Sequence, residues 1–347
     1  MNINEKISQN LNKYDSSKCP KYIIKEFIEY EGEFLSRQEK AIRIIESIMD
    51  IHGKKHLHRY ITQLARIEHG IRELEPWVRD HVVHAVLSYV LGLYINDNFI
   101  GSRFGFKVPN FQWKIAGLFH DIGYPVEISN SILKSYSDEI NKLRQEINID
   151  RPCVSINISL HGIEELTNDQ NSFLLIQKCL DDWKLDIQVK SVYNEYQKSG
   201  RICHGMISAL TLVNIIDLLY QKYNPRRHYL KMLIPGTNID VNQIYFENDI
   251  VPACSAIFIH NLPSEYFKGR KIDLKNAPIA YLLKLSDCLQ EWERPSGETS
   301  KGYSSNKFDI SIKSDLICFK ADIPDERKKK ITDDINNTLC PCDILIS

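Results

Sequence analysis

Apolar residues recur at helical intervals along most of this chain. In "IIKEFIEYEGEFLSRQEKAIRIIESIMDI" (23–51), Glu, Lys and Arg fill the gaps between them, and the spacing predicts amphipathic helices across residues 21–75. "WVRDHVVHAVLSYVLGLYI" (77–95) is apolar on most sides and predicts a buried helix; "FQWKIAGLFHDIGY" (111–124) predicts a second. "CHGMISALTLVNIIDLLYQKY" (203–223) and "APIAYLLKLSDCLQEWER" (277–294) predict two more, the latter closed by Pro295 and Gly297. "CSAIFIHN" (254–261) starts as a helix and stops before "LPSEYF".

Between them, residues 126–200 are more polar. "SILKSYSDEINKLRQEIN" (131–148) predicts an exposed amphipathic helix, and the rest a helical and loop insert. After residue 300 the pattern changes to alternation in "KFDISIKSDLICFKADI", with a turn at "KSD". A helix over "DERKKKITDDINNTL" and a strand in "CDILIS" complete a small appendage. The fold class is therefore mainly α, a helical bundle with a small C-terminal α+β element. No internal repeat and no low-complexity segment interrupts it.

Composition changes this picture little. The chain has 347 residues, 43% hydrophobic and 26% charged, as in ordinary globular proteins, and a formal net charge of -1. That charge carries no global signature of a nucleic-acid binder. Nine cysteines show no framework spacing, and "CPC" at 340–342 is too tight and isolated for a zinc knuckle; reduced thiols are expected. The polar start "MNINEKISQNLNKY" is no secretory signal, and no window reaches the roughly 18 apolar residues of a membrane span. A cytoplasmic location and no membrane partner are expected. There is no GxxxxGK[ST] loop and no GxSxG elbow.

The chemistry lies in polar exceptions on the apolar helices. His84 lies within "HVVHAVLSYVLG", His120 and Asp121 end "IAGLFHD", His204 opens "HGMISAL", His260 ends "AIFIH", and Asp287 lies in "LLKLSDCLQEW". A buried carboxylate without a partner costs several kcal/mol or neutralises. A shared cation answers this for all six residues at once. Imidazole nitrogen with carboxylate oxygen suits first-row divalent ions. Neighbouring helix positions point about 100° apart, so His120 and Asp121 can reach around one ion, or Asp121 can bridge two.

The order His84, His120-Asp121, His204, His260, Asp287 resembles the HD-domain metal-dependent phosphohydrolase superfamily, defined by H…HD…D on a helical bundle. The resemblance covers about residues 77–295 and divides the chain. Residues 1–76 would be N-terminal helices packing on the core. Residues 77–299 would be the core with its insert at about 126–200, and 300–347 the tail. It implies that His84, His120, Asp121 and Asp287 hold a first metal. His204 and His260 would hold a second, with Asp121 as bridge. The ions would be Mn, Fe, Co, Ni, Zn or Mg. It implies hydrolysis of a phosphoester or phosphoanhydride, in a phosphorylated small molecule such as a nucleotide or cyclic nucleotide. The alternatives are a nuclease of this type acting on single-stranded nucleic acid, or a non-catalytic metal-containing module.

His81 lies three residues before His84 and competes with it; His84 fits the family helix better, and His81 would face substrate or be structural. His161 also precedes a glycine, but His204 opens the better apolar helix. Lys284 and Gln290 flank Asp287 by one turn on either side, and Lys284 either binds a substrate phosphate or is solvated. Arg201 meets phosphate or solvent, and Arg79 and Asp80 would support the first ligand or pair at the helix start. The basic stretch "HGKKHLHRY" (52–60) either touches a nucleic acid or an anionic ligand or is a solvated helix end, while "RKKK" (327–330) reads as a charged surface face and "NPRRHY" (224–229) as a turn.

Overall fold

The computed structural model describes residues 2–16, 19–30, 34–74, 80–147, 158, 160–222, 245–292, 308–313, 316–341 and 344–347. "NPRRHY", Arg79, Pro295, Gly297 and most of the "KSD" turn lie outside them.

Helix α1 (Ile3–Leu11) begins at a capping box: Glu5 N–H donates to the Asn2 side chain (2.9 Å), and Asn2 N–H donates to Glu5 Oε2 (3.0 Å). Ile3, Ile7 and Leu11, spaced one turn apart, are its buried stripe. The polar start of the chain is thus an ordered element. Helices α2 (Lys21–Ile28), α3 (Phe34–Ile51) and α4 (His58–Leu74) follow as the spacing predicts.

Helix α5 (His81–Ile95) is buried along its whole length, as a helix apolar on all sides must be. Asp80 caps it by accepting from Val83 N–H at 2.8 Å. It runs through a wide turn at Asn96–Ile100 into the short α6 (Gly101–Phe104). Helix α7 (Asn110–Phe119) packs on α5, and the long α8 (Tyr124–Glu146) leaves the core after the "HDIGY" corner with few buried residues.

Helices α9 (Ser172–Asp182) and α10 (Val189–Lys198) form in what the sequence presents as a polar insert. Phe173, Ile176 and Leu180 of α9 are buried, and α9 packs on a central helix, so this part of the insert belongs to the core. That central helix is α12 (Val251–His260); it also packs against α11 (His204–Lys222), α7 and α13 (Pro278–Leu289). Helix α13 ends at Leu289, five residues before the apolar pattern stops, because Gln290 turns extended (φ -78, ψ 100).

The tail is a three-stranded sheet and a helix. Strands β2 (Phe308–Lys313) and β3 (Leu316–Ala321) pair antiparallel, and β5 (Ile344–Ile346) joins β3 in parallel. Helix α14 (Asp325–Thr338) leads into β4 (Leu339–Cys340), which pairs in parallel with β1 (Ile272–Asp273) just ahead of α13. Arg327 of α14 donates to Glu291 Oε1, and Trp292 meets Phe308 at 4.4 Å between ring centroids. Among the described residues, no helix is long and apolar enough to cross a membrane.

Candidate metal centre

Four helix ends and one helix interior converge behind α5. His84 lies one turn into α5. His120 and Asp121 follow the last residue of α7, His204 opens α11, His260 closes α12, and Asp287 lies near the end of α13. Two glycines let these ends meet. A Cβ on Gly123 would lie 2.5 Å from the His204 carbonyl oxygen, and one on Gly205 would lie 2.8 Å from the Ile257 carbonyl and 2.9 Å from the His260 ring. Side chains there would force the corner after Asp121, the start of α11 and the end of α12 apart.

Each histidine has its outer nitrogen committed. His120 Nδ1–H donates to Gly117 O (3.1 Å) and His260 Nδ1–H to Ile257 O (2.7 Å), both three residues back in their own helices. Carbonyls of a last helical turn lack intrahelical partners, so a histidine closing a helix is well placed to use one. His84 Nδ1–H donates to Gln290 Oε1 (2.8 Å), and Gln290 Nε2–H to Trp292 O (3.1 Å), which fixes the amide's orientation. Glu127, in the first turn of α8, accepts from both the backbone N–H (2.6 Å) and the Nδ1–H (2.8 Å) of His204. It therefore caps α11 and orients its first side chain together.

With a proton on each Nδ1, the Nε2 atoms of His84, His120 and His260 present lone pairs inward, and that of His204 does so once its second proton is displaced. His84 Nε2 and His120 Nε2 stand 3.2 Å apart, two acceptors facing each other. Asp121 Oδ2 is 3.6 Å from the first and 3.4 Å from the second. Its other oxygen, Oδ1, is 3.2 Å from His204 Nε2 and 3.6 Å from His260 Nε2, and is buried without a hydrogen bond. Asp287 Oδ1 adds a second carboxylate 3.0 Å from His84 Nε2. Lone pairs and carboxylates converging in a buried space are what a divalent cation satisfies, and the donor set suits first-row metals. Two groups that could each hold an ion result: His84, His120 and Asp121, and Asp121, His204 and His260.

The electrostatics agree. Burial works against a charge on Asp121, yet the surrounding imidazoles outweigh it and hold the carboxyl well below the usual range. The same opposition, decided by His84 and its neighbours, holds Asp287 well below that range. Burial pushes His120 below an ordinary imidazole, against the pull of Asp121. Burial also opposes charge on His204, but Asp121 and Glu127 outweigh it and raise it well above the ordinary value. The side chains of His84, His120 and His260 are sealed, at 1%, 0% and 1% exposure, whereas Asp287 and His204 keep 25% and 14%. Of these five side chains, Asp287 and His204 are the ones that solvent reaches.

The remaining candidates lie elsewhere. Lys284 is buried rather than solvated; its Nζ donates to the His260 carbonyl (3.1 Å), capping α12. Burial opposes its charge, and Cys288, Asp334 and Asp287 outweigh that and keep it high. Arg201 is exposed and engaged with Ser199 Oγ (3.0 Å), Glu195 (3.7 Å) and the Tyr196 ring (4.8 Å), not with the cluster. His81 Nδ1 lies 2.5 Å from Glu68 Oε1 and its ring meets the His84 ring edge-on (centroids 6.4 Å apart), and His161 is exposed. Sequence reasoning missed Glu127; a glutamate in the first turn after the "HDIGYP" corner was the available hint for it. No protein-family model, curated protein or solved structure matches the chain.

Proposed function

We propose that the chain is a metal-dependent phosphohydrolase of the HD-domain type, working with two divalent ions that share Asp121. The observation that carries this reading is the division of labour at Asp121, whose two oxygens each face a separate pair of inward imidazole lone pairs. The order of ligands along the chain, which resembles that superfamily, supports it independently.

In this reading His84, His120 and Asp287 complete the first position, and His204 and His260 the second. A bound ion pair supplies a water of lowered pKa and neutralises phosphate charge. Gln290 and Glu127 keep the His84 and His204 rings turned inward. The partly exposed edge at Asp287 and His204 admits a phosphorylated substrate, for which a nucleotide or cyclic nucleotide is the class proposed. A cytoplasmic setting is proposed with it.

The test is elemental analysis of the purified protein, followed by hydrolysis of an aryl phosphodiester with Mn²⁺, Ni²⁺ or Co²⁺ added. We expect bound metal and turnover that a chelator abolishes. Bound metal without turnover of any phosphoester would make the protein a binding module. Cleavage of single-stranded DNA but not of mononucleotides would make it a nuclease.

A further inference from the structure

Helix α8 is built the wrong way round for a helix that only covers a core. Its buried residues, Asn130 and Ser137, are polar, and they share one face because seven residues make about two full turns. Asn130 Nδ2 donates to Gly200 O (2.9 Å) and Glu127 holds the start of α11, so the N-terminal end of α8 is anchored to the body. The large apolar residues lie off that face. Ile132, Leu133, Tyr136, Leu143 and Ile147 are all exposed, the last three by more than half, and Ile140 in the same stripe is half-buried. A surface helix ordinarily buries its apolar stripe and turns its polar residues to water.

The spacing of the stripe points to what covers it. Leu133, Tyr136, Ile140, Leu143 and Ile147 are separated by three, four, three and four residues, the alternation of a and d positions in a heptad repeat. Ile132 widens the stripe only at its start. With Leu133 at a, Ile140 and Ile147 also fall at a and Leu143 at d, the arrangement of β-branched and γ-branched residues that favours two parallel strands. The flanking charges agree. In a parallel pair the g residue of one heptad meets the e residue of the partner's following heptad. Glu139 is at g and Arg144 at e, so each Glu139 faces the Arg144 of the other copy, twice in a symmetric pair. In an antiparallel pair g meets g, which would set the glutamates 139 and 146 against each other. An isolated coil of so few heptads is marginal because each helix must first be ordered. Helix α8 is ordered and anchored already, so association does not bear that cost.

We propose that the exposed apolar stripe of α8 is a self-association surface, and that two copies of this chain pair through it as a short parallel two-stranded coil. The proposal stands apart from the phosphohydrolase reading and does not depend on it. Helix α8 begins directly after the corner that carries His120 and Asp121, so parallel pairing puts both clusters at the same end of the coil.

The test is sedimentation equilibrium of the full chain. Wild-type protein should show a monomer–dimer equilibrium; a monomer at every concentration up to about 0.1 mM would overturn the proposal and leave the stripe to another partner or to a segment of the same chain. Glu139→Arg and Arg144→Glu should each weaken the dimer roughly tenfold, since each turns two attractive contacts into repulsive ones. The double variant carrying both should recover wild-type affinity. Singles without effect, or a double variant that does not recover, would overturn the proposal. Leu143→Glu should abolish the dimer while the monomer keeps its helical content, because the side chain it replaces is exposed in the single chain. A dimer that survives this change is held by another face, which would overturn the proposal as well.

Discussion

The two halves of the cluster use the same residue types but support them differently. Around His84 and His120 the backing is neutral, an amide and a main-chain carbonyl, and a second carboxylate, Asp287, comes within 3.0 Å of His84 Nε2 itself. Around His204 and His260 one backing group is a carboxylate, Glu127, and Asp121 is the acidic group that faces both rings. Negative charge is applied directly in the first half and relayed through an imidazole in the second. A direct carboxylate binds a cation more strongly than one acting through a ring, so the first position should hold its ion more tightly.

The most severe way to break this comparison is Asp121→Asn, which removes the group both halves share. Metal content by elemental analysis should fall to background, and phosphodiester hydrolysis with it. Retention of both ions would deny Asp121 its bridging place.

Separating the halves comes next. Asp287→Asn should weaken the first position and His260→Ala the second, each leaving about one equivalent of metal per chain when titrated. His260→Ala should spare the tighter ion. If both variants lose the same ion, the halves are not independent.

The backing groups sharpen the contrast further. Glu127→Gln should lower affinity at the second position by roughly 10- to 100-fold, the usual effect of removing an outer-shell partner. Gln290→Ala should act only at the first position and toward the lower end of that range, since a neutral amide is lost. Calorimetric titration of metal-stripped protein separates the two.

The smallest effect concerns pH. Without metal, His204 is held above its ordinary imidazole value of about 6.5, so an ion entering the second position must displace a proton. Affinity there should rise with pH through neutrality and level off above the raised value. The linked stability has the opposite sign. In stripped protein the contribution of protonated His204 is complete below its unfolded value and is lost as pH rises through the folded one. Proton release measured in buffers of different ionisation enthalpy should track the second ion, and Glu127→Gln should move the transition to lower pH.

Much of this arrangement was legible in the chain. The apolar helices announced themselves by period, and the histidines and aspartates stood out because they interrupt it. Lys284 interrupts it as well, but a lysine's ordinary place is solvent, and only tertiary packing reveals that its amine caps α12. The supporting groups were hidden by distance in sequence: Glu127 reaches His204 across 77 residues, and Gln290 reaches His84 across 206. The early end of α13 has the same origin, since Gln290 leaves the helix at the point where its amide joins His84 to Trp292. Helix α1 carried a local signal, Asn2 three residues before Glu5, in a stretch that reads only as polar. Helix α9 was obscured because Phe173, Ile176 and Leu180 are separated by polar residues that face outward.

The most direct test of the shared-carboxylate centre is an anomalous difference map from crystals of the stripped protein soaked in Mn²⁺ or Co²⁺. The account predicts two peaks on either side of Asp121, roughly 3.5–4 Å apart as in other two-metal sites. One should lie against His84, His120 and Asp287, the other against His204 and His260. A map with no peak in reach of the Asp121 oxygens would contradict it.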